Sequence, residues 1–256
     1  MGEKKHILSI SGGKDSMATA ILAIENNEPI DLAVYCEVMF DKDISGEVPE
    51  HHDFIYEKMI PYLEDNGVPV SVVRGGTTYL DWFFREYKQS KVDGRNGKIY
   101  GFPLGGRCVI NRSCKVGPIR AFLKENGLTN CINYVGIAID EPKRLNRLNG
   151  TNKVSLLEKY GYTEEMAAEL CKKRGLYSPA YEYSARNGCW FCPNCRMSEF
   201  AEFKRRHPEL WKKLLDLGKV ENRVSPGFCY GKTIEMIDEM ISMQAAQVRI
   251  EDIEEK

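Results

Sequence analysis

Ser11-Gly12-Gly13-Lys14-Asp15-Ser16 follows the apolar run His6-Ile7-Leu8-Ser9-Ile10 and opens a helical pattern from Met17 to Asn27. A strand, a tight glycine turn and a helix start, in that order, make an anion site. The two glycines allow φ > 0 and a close approach of backbone to ligand. The helix start presents unpaired N–H groups and a partial positive charge. Ser11 and Ser16 add hydroxyls, and Lys14 adds a mobile cation. The spacing is too short for the GxxxxGKS/T loop and differs from GxGxxG. The plain alternative is a connecting turn with an ordinary helix cap.

Working outward, the second apolar run, Leu32-Ala33-Val34-Tyr35-Cys36, reads as a buried parallel strand with Cys36 in the core. Asp41 and Asp43 stand just past its end, where open α/β sheets place ligands. An amphipathic helix over 54–65 carries Ile55, Met59 and Leu63 on one face. His51 and His52, at its start, read as solvated. A third strand covers 68–73, so the order is βαβαβ. With right-handed crossovers this predicts a doubly wound parallel sheet of the α/β class. Residues 79–90 show a helical apolar face, and a Gly-, Lys- and Arg-rich loop runs from 91 to 107. Pro118 suits the first turn of a helix over 119–125. A fourth strand is expected over 131–139. Past residue 150 the character changes to helices at 163–174, 198–206, 208–217 and 233–243. The chain thus divides into 1–150, the α/β part with the anion-site turn, and 151–256, a mainly helical region carrying clustered cysteines; the resemblance below implies that 1–150 is a nucleotide-binding domain.

The 256 residues suffice for a sizeable core, and 43% hydrophobic with 29% charged residues is a globular composition. A net charge of −1 gives no global preference for nucleic acid or anionic membrane, though Arg107, Arg112, Lys115 and Arg120 make one segment locally basic. No apolar run reaches the roughly 18 residues of a membrane span. No secretory leader pattern opens the chain, and the expected location is cytoplasmic. Nine cysteines, an odd count, then speak for metal or catalytic use rather than disulfides.

Cys189, Cys192 and Cys195 form CxxCxxC, a spacing that lets thiolates converge on one metal or cluster. Cys108 and Cys114 are the best candidates for a fourth ligand, ahead of Cys171. Flanking Arg186 and Arg196 favour thiolates. Three readings stay open: a 4Fe–4S cluster, structural Zn2+, and unliganded cysteines around Trp190 and Phe191.

Three islands then carry a resemblance: Ser11–Ser16; the segment Arg107–Pro118, ending Lys-Val-Gly-Pro; and Gly136-Ile-Ala-Ile-Asp140-Glu141-Pro-Lys-Arg144. With Gly188-Cys-Trp-Phe-Cys-Pro193, they make the chain similar to the phosphoadenosine phosphosulfate (PAPS) reductase family within the PP-loop ATP pyrophosphatases. The likeness is to the branch used in sulfur transfer and phosphorothioation, and it spans residues 5 to 215. It implies an adenine nucleotide alpha hydrolase-like fold that binds ATP with Mg2+ at the sheet's C-terminal edge. Ser11, Gly12, Gly13 and Ser16 would hold phosphates, with Gly136 across from them. Lys14 and Asp15 would act beside them, Asp15 toward Mg2+. Lys115, Arg112 and Arg144 would neutralise departing pyrophosphate. The implied partners are a nucleic-acid or nucleotide acceptor and a sulfur-donor protein, with no membrane.

Two departures count against the reductases themselves. The chain ends Val248-Arg-Ile-Glu-Asp-Ile-Glu-Glu-Lys256, without a cysteine, and Cys108 and Cys114 are not adjacent. The expected activity is therefore an ATP pyrophosphatase that adenylates an acceptor for sulfur transfer. A thiol-dependent sulfonucleotide reductase using Cys229 or Cys108 is one rival, and a nucleotide-binding sensor without chemistry is the other.

Overall fold

The computed structural model describes residues 4–103, 108–229 and 231–254, and past residue 244 it describes the backbone alone. Arg107, one of the expected basic residues, lies outside the described set.

Five strands form one parallel sheet. β1 (His6–Ile10) is central. It pairs on one side with β2 (Leu32–Glu37), Ile7 opposite Leu32, and on the other with β5 (Ile132–Tyr134), His6 opposite Ile132. β3 (Val70–Arg74) and β6 (Lys153–Val154) complete the order β3-β2-β1-β5-β6. The chain first winds outward from β1 through β2 to β3. It then crosses back to the other side of β1. The switch point lies between the ends of β1 and β5, where open α/β sheets bind ligands.

β1 and β2 are apolar on both faces because both faces are covered. On one side, α1 (Lys14–Glu25), α7 (Leu156–Lys159) and α8 (Glu164–Lys173) enclose Leu8, Met17, Ile21, Tyr35 and Leu157. On the other, α5 (Gly117–Glu125) lays Ile119, Phe122 and Leu123 against Ile7, Val34 and Cys36. The doubly wound architecture expected from the βαβαβ order is the one observed.

A further, aromatic-rich core sits beyond the C-terminal edge of the sheet. It joins Phe40, Tyr79 and Phe102 to Trp190, Phe200 and Trp211. Around it stand α4 (Tyr79–Phe83), α9 (Met197–Arg206), α10 (Pro208–Gly218) and α11 (Ile234–Glu254). A small parallel ribbon pairs β4 (Ile99–Gly101) with β7 (Arg223–Ser225). Both larger cores draw residues from each side of residue 150.

Several elements differ from the sequence reading. The helix expected over 79–90 stops at Phe83. The backbone beyond it pairs instead with 97–100, through Tyr100 N–H to Arg85 O and Tyr87 N–H to Lys98 O. The strand expected over 131–139 is ladder-paired only to Tyr134, after which the chain leaves the sheet to pass the phosphate loop. The helix expected over 54–65 begins earlier, as α2 (Pro49–Phe54), and passes through a π-helical turn, Ile55–Met59, into α3 (Ile60–Asp65). A second π-helical turn, Asn111–Val116, precedes α5.

Candidate functional site

The loop from Ser11 to Ser16 leaves the end of β1 and enters α1 at the switch point. Only Gly12 has positive φ, +74°, whereas Gly13 is an extended helix cap at φ −69° and ψ 152°. Gly12 is required twice over, because a Cβ there would meet His51 Cε1 at 2.8 Å. The loop is braced from within. Ser11 N–H donates to Ser16 Oγ at 3.2 Å, and Ser16 Oγ donates to Gly13 O at 2.9 Å. Lys14 N–H donates to the Tyr181 hydroxyl at 3.0 Å. Among the described residues, the amides of Gly12, Asp15 and Ser16 make no hydrogen bond. Unpaired amides at a glycine turn and helix start suit an anion.

His51 supports this loop from below. It is 1% exposed, not solvated as its sequence position suggested. Its Nε2 donates to Ser11 O at 2.9 Å, and its Nδ1 faces Ser178 Oγ at 2.9 Å. A carbonyl can only accept, so Nε2 carries the proton and Nδ1 accepts from the hydroxyl. Burial holds the His51 pKa below its ordinary value. Two adjacent histidines at a helix start gave no sign of this, because the contact depends on how α2 crosses the loop.

Lys14 and Asp15 are paired at 2.8 Å, and Lys14 also reaches Glu164 at 2.7 Å. Burial works to lower the Lys14 pKa, but hydrogen bonds to Asp15 and Glu164 outweigh it and the net direction is up. Burial raises the Asp15 pKa against the pull of Lys14. Gly136 faces the same turn. A Cβ on it would lie 2.6 Å from Asp15 C and 2.7 Å from Ser16 N. Arg144, in α6 (Pro142–Leu145), is half exposed and is held by Glu141, with N–O distances of 2.5 and 2.7 Å, and the Glu141 charge helps raise the Asp15 pKa. Asp140 caps α8, accepting from Glu164 N–H at 3.2 Å.

Another polar cluster lines the ends of β2 and β3. Glu37 is 1% exposed, accepts from Arg74 Nε at 2.7 Å and from the Tyr56 hydroxyl at 2.9 Å, and lies 3.4 Å from His52 Nε2. Burial pushes the Glu37 pKa up, but its hydrogen bonds with Ser45, Arg74 and Tyr56 win and hold it low. Nothing in the spacing of these residues announced the cluster. Asp41 accepts from the amides of Asp43 and Ile44, so it shapes a turn.

The cysteines line a separate cavity of about 370 Å³, walled in part by Tyr79, Trp190, Phe200 and Phe203 of the aromatic core. Cys108, Cys189, Cys192 and Cys195 line it with Lys115 and Tyr79. Cys114 is buried in the aromatic core, outside the cavity lining. Cys171 lies under α1, its thiol donating to Lys14 O at 3.2 Å. A hydrogen bond between Cys192 and Cys195 holds the first thiol's pKa down and the second's up. Burial raises that of Cys189. Three buried polar atoms in the cavity wall have no partner: the Tyr79 hydroxyl and both amide atoms of Asn187. Such orphans are costly without a ligand or water to meet them.

Among the described residues, no three His, Cys, Asp or Glu side chains are spaced to hold a metal as they stand. Four thiols around one cavity with orphaned donors are nonetheless a donor set that fits a thiolate-bound metal group. Lys115 connects the two regions, since its charge acts on both Cys189 and His51. Cys229, the late thiol, is 6% exposed, and burial raises its pKa.

No protein-family model matches the chain. It is similar to an uncharacterized protein of Methanocaldococcus jannaschii, with 25% identity over 225 residues. The match covers 82% of this chain, which spans 41% of the relative's length. Among solved structures, it aligns with the U34-tRNA thiolase NcsA from Methanococcus maripaludis with its 4Fe–4S cluster, at a TM-score of 0.41 and 15% identity. That alignment covers 86% of this chain and 74% of the other. No helix among the described residues is long and apolar enough to cross a membrane.

Proposed function

We propose that the protein is an ATP pyrophosphatase of the PP-loop type that activates an acceptor for sulfur transfer. The observation that carries this reading is the Ser11–Ser16 turn at the switch point, with three unpaired amides and Gly136 pressed against it. ATP would place its phosphates on Ser11, Gly12, Gly13 and Ser16. Asp15 now pairs with Lys14. A Mg2+ ion arriving with the nucleotide would compete for that carboxylate, leaving Lys14 free to meet a phosphate oxygen.

The chemistry balances as two displacements. An acceptor oxygen attacks the α-phosphorus, the bond to the bridging oxygen breaks, and pyrophosphate leaves. A sulfur nucleophile then attacks the acceptor carbon, and AMP leaves with its oxygen. Lys14 would stabilise charge on the departing pyrophosphate. Lys115 lines the cysteine cavity, so it suits the second displacement. Arg144 would contribute only after releasing Glu141.

Cys108, Cys189, Cys192 and Cys195 would hold a 4Fe–4S cluster, with Zn2+ as the rival occupant. Such a cluster would supply a site for binding sulfide with three of these thiols as ligands, since four would leave no iron open. The cysteine-cavity geometry favours this over a reductase using Cys229, whose thiol is buried.

The test is pyrophosphate and AMP release from ATP by anaerobically purified protein. Asp15→Ala is expected to abolish both, and undiminished release in that variant overturns the assignment. Iron and labile sulfide assays report the cavity, and a colourless protein with stoichiometric zinc would exclude the cluster. Tight ATP binding without turnover across acceptors would favour a sensor.

A further inference from the structure

An open groove of about 1400 Å³ adjoins the cysteine cavity and shares Cys108 and Asn111 with it. Its walls come from the end of α4 and the segment after it, from β4, and from Cys108 to Arg112 at the start of the Asn111–Val116 turn. Three aromatic rings line it: Trp82, Tyr87 and Tyr100. Tyr87 and Tyr100 stack at 5.9 Å with 11° between planes, and Trp82 meets Tyr100 edge-on at 6.0 Å. Three cations line it as well, Arg85, Lys88 and Arg112, against one carboxylate, Glu86. Among the described residues, none of those cations has a carboxylate partner. Arg85 lies over the Trp82 ring at 4.6 Å, and Arg95, outside the groove lining, over Tyr87 at 5.9 Å. The buried Trp82 indole N–H has no acceptor.

Unpaired cations interleaved with rings are poor material for a folding core but good material for a polyanion with flat bases. The cations track phosphates while the rings take the base faces. Rings set in a groove wall can stack only on bases that are already unstacked, which excludes a regular duplex. Gln89, Ser90 and Asn111 also line the groove and bring hydrogen-bonding side chains for base edges.

We infer that this groove binds single-stranded nucleic acid and leads one nucleotide to Cys108 at the mouth of the cysteine cavity. The second clause rests on the sulfur-transfer reading above, and the first does not.

The probes are fluorescein-labelled 20-nucleotide single strands of RNA and of DNA, with the matching duplexes, followed by anisotropy. Either single strand is expected to bind more tightly than its duplex, and the two arms tell which sugar is preferred. Three phosphate contacts predict that affinity falls roughly twentyfold between 50 and 200 mM salt. Tyr87→Ala is expected to weaken binding about fivefold or more, and Arg85→Glu with Lys88→Glu more than tenfold. ATP affinity by calorimetry should not change in these variants, which certifies the fold. No binding, equal binding of duplexes, or insensitivity to all three substitutions overturns the inference; a partner found to be an acidic protein does so too. Pyrophosphate release is read separately. Its absence with strand binding intact would sink the enzyme reading alone.

Discussion

His51 shows how a single buried side chain sets the phosphate loop. Its neutral tautomer gives a proton to Ser11 O and takes one from Ser178. Around it lie Glu47, Lys115 and His52, whose charges partly oppose one another. The folded pKa is depressed, so below about 6.5 the unfolded chain binds a proton that the native site refuses. Stability is full above that pH and falls as pH drops toward the folded pKa. Urea unfolding at pH 7.5 and 5.5 should show this loss, and His51→Gln should flatten it. An unchanged slope would place the titration elsewhere. His51→Ala would leave the Ser11 carbonyl unpaired, at a cost of about 1–3 kcal/mol. Gly136 acts at the same point through its lack of a side chain. Gly136→Ala would drive a methyl into the backbone of Asp15 and Ser16. Overpacking costs about 1–3 kcal/mol. Because the strained atoms belong to the loop itself, ATP affinity should fall by about five- to a hundredfold in calorimetry. Unaltered affinity would show that the loop can shift freely.

At the level of elements, the β4–β7 ribbon fastens the groove segment to the C-terminal helices. Gly101 has φ +83°, and a Cβ on it would meet Ser225 O at 2.3 Å. Gly101→Ala must therefore part the ribbon, and a loss of about 2 kcal/mol or more is expected in denaturant unfolding. The ribbon was not legible in the sequence. Residues 99–101 and 223–225 are each too short to show alternation, and their pairing spans more than a hundred residues. The reading of 79–90 as a helix failed for a related reason. Phe83, Phe84 and Tyr87 have helical spacing, but Phe84 is 47% exposed and Tyr87 turns to stack on Tyr100. By contrast, β1 and β2 were plain, because strands buried on both faces appear as unbroken apolar runs; β3 is an edge strand with Val72 39% exposed, and its run of valines showed it instead. The loop after β1 was plain for the same local reason: strand, glycine and helix start are contiguous. The cysteine cavity was half legible. The CxxCxxC run is local, whereas Cys108 joins it only through the tertiary fold, which also sends Cys114 to the aromatic core.

For the molecule as a whole, the question is whether the sheet and the aromatic core unfold together. The division near residue 150 marks where the sequence changes character, but the packing crosses it. Leu156, Leu157, Ala167 and Cys171 complete the core over α1, while Val38, Phe40, Tyr79 and Phe83 enter the core beneath α9 and α10. Neither part keeps an intact apolar interior without the other, and a split interior exposes surface costing roughly 25 cal/mol per Å². One cooperative transition is therefore expected. The chain supplies its own separate reporters, because all three tryptophans, Trp82, Trp190 and Trp211, belong to or pack against the aromatic core. Tryptophan fluorescence follows that core, and far-UV circular dichroism follows the helices on both faces of the sheet. The two signals should melt with coincident midpoints. An earlier fluorescence transition would mean that the aromatic core opens alone, uncoupling the cysteine cavity from the phosphate loop. ATP should then raise only the later midpoint. In the coupled case it raises both by the same amount, since a ligand on the loop stabilises everything that unfolds with it.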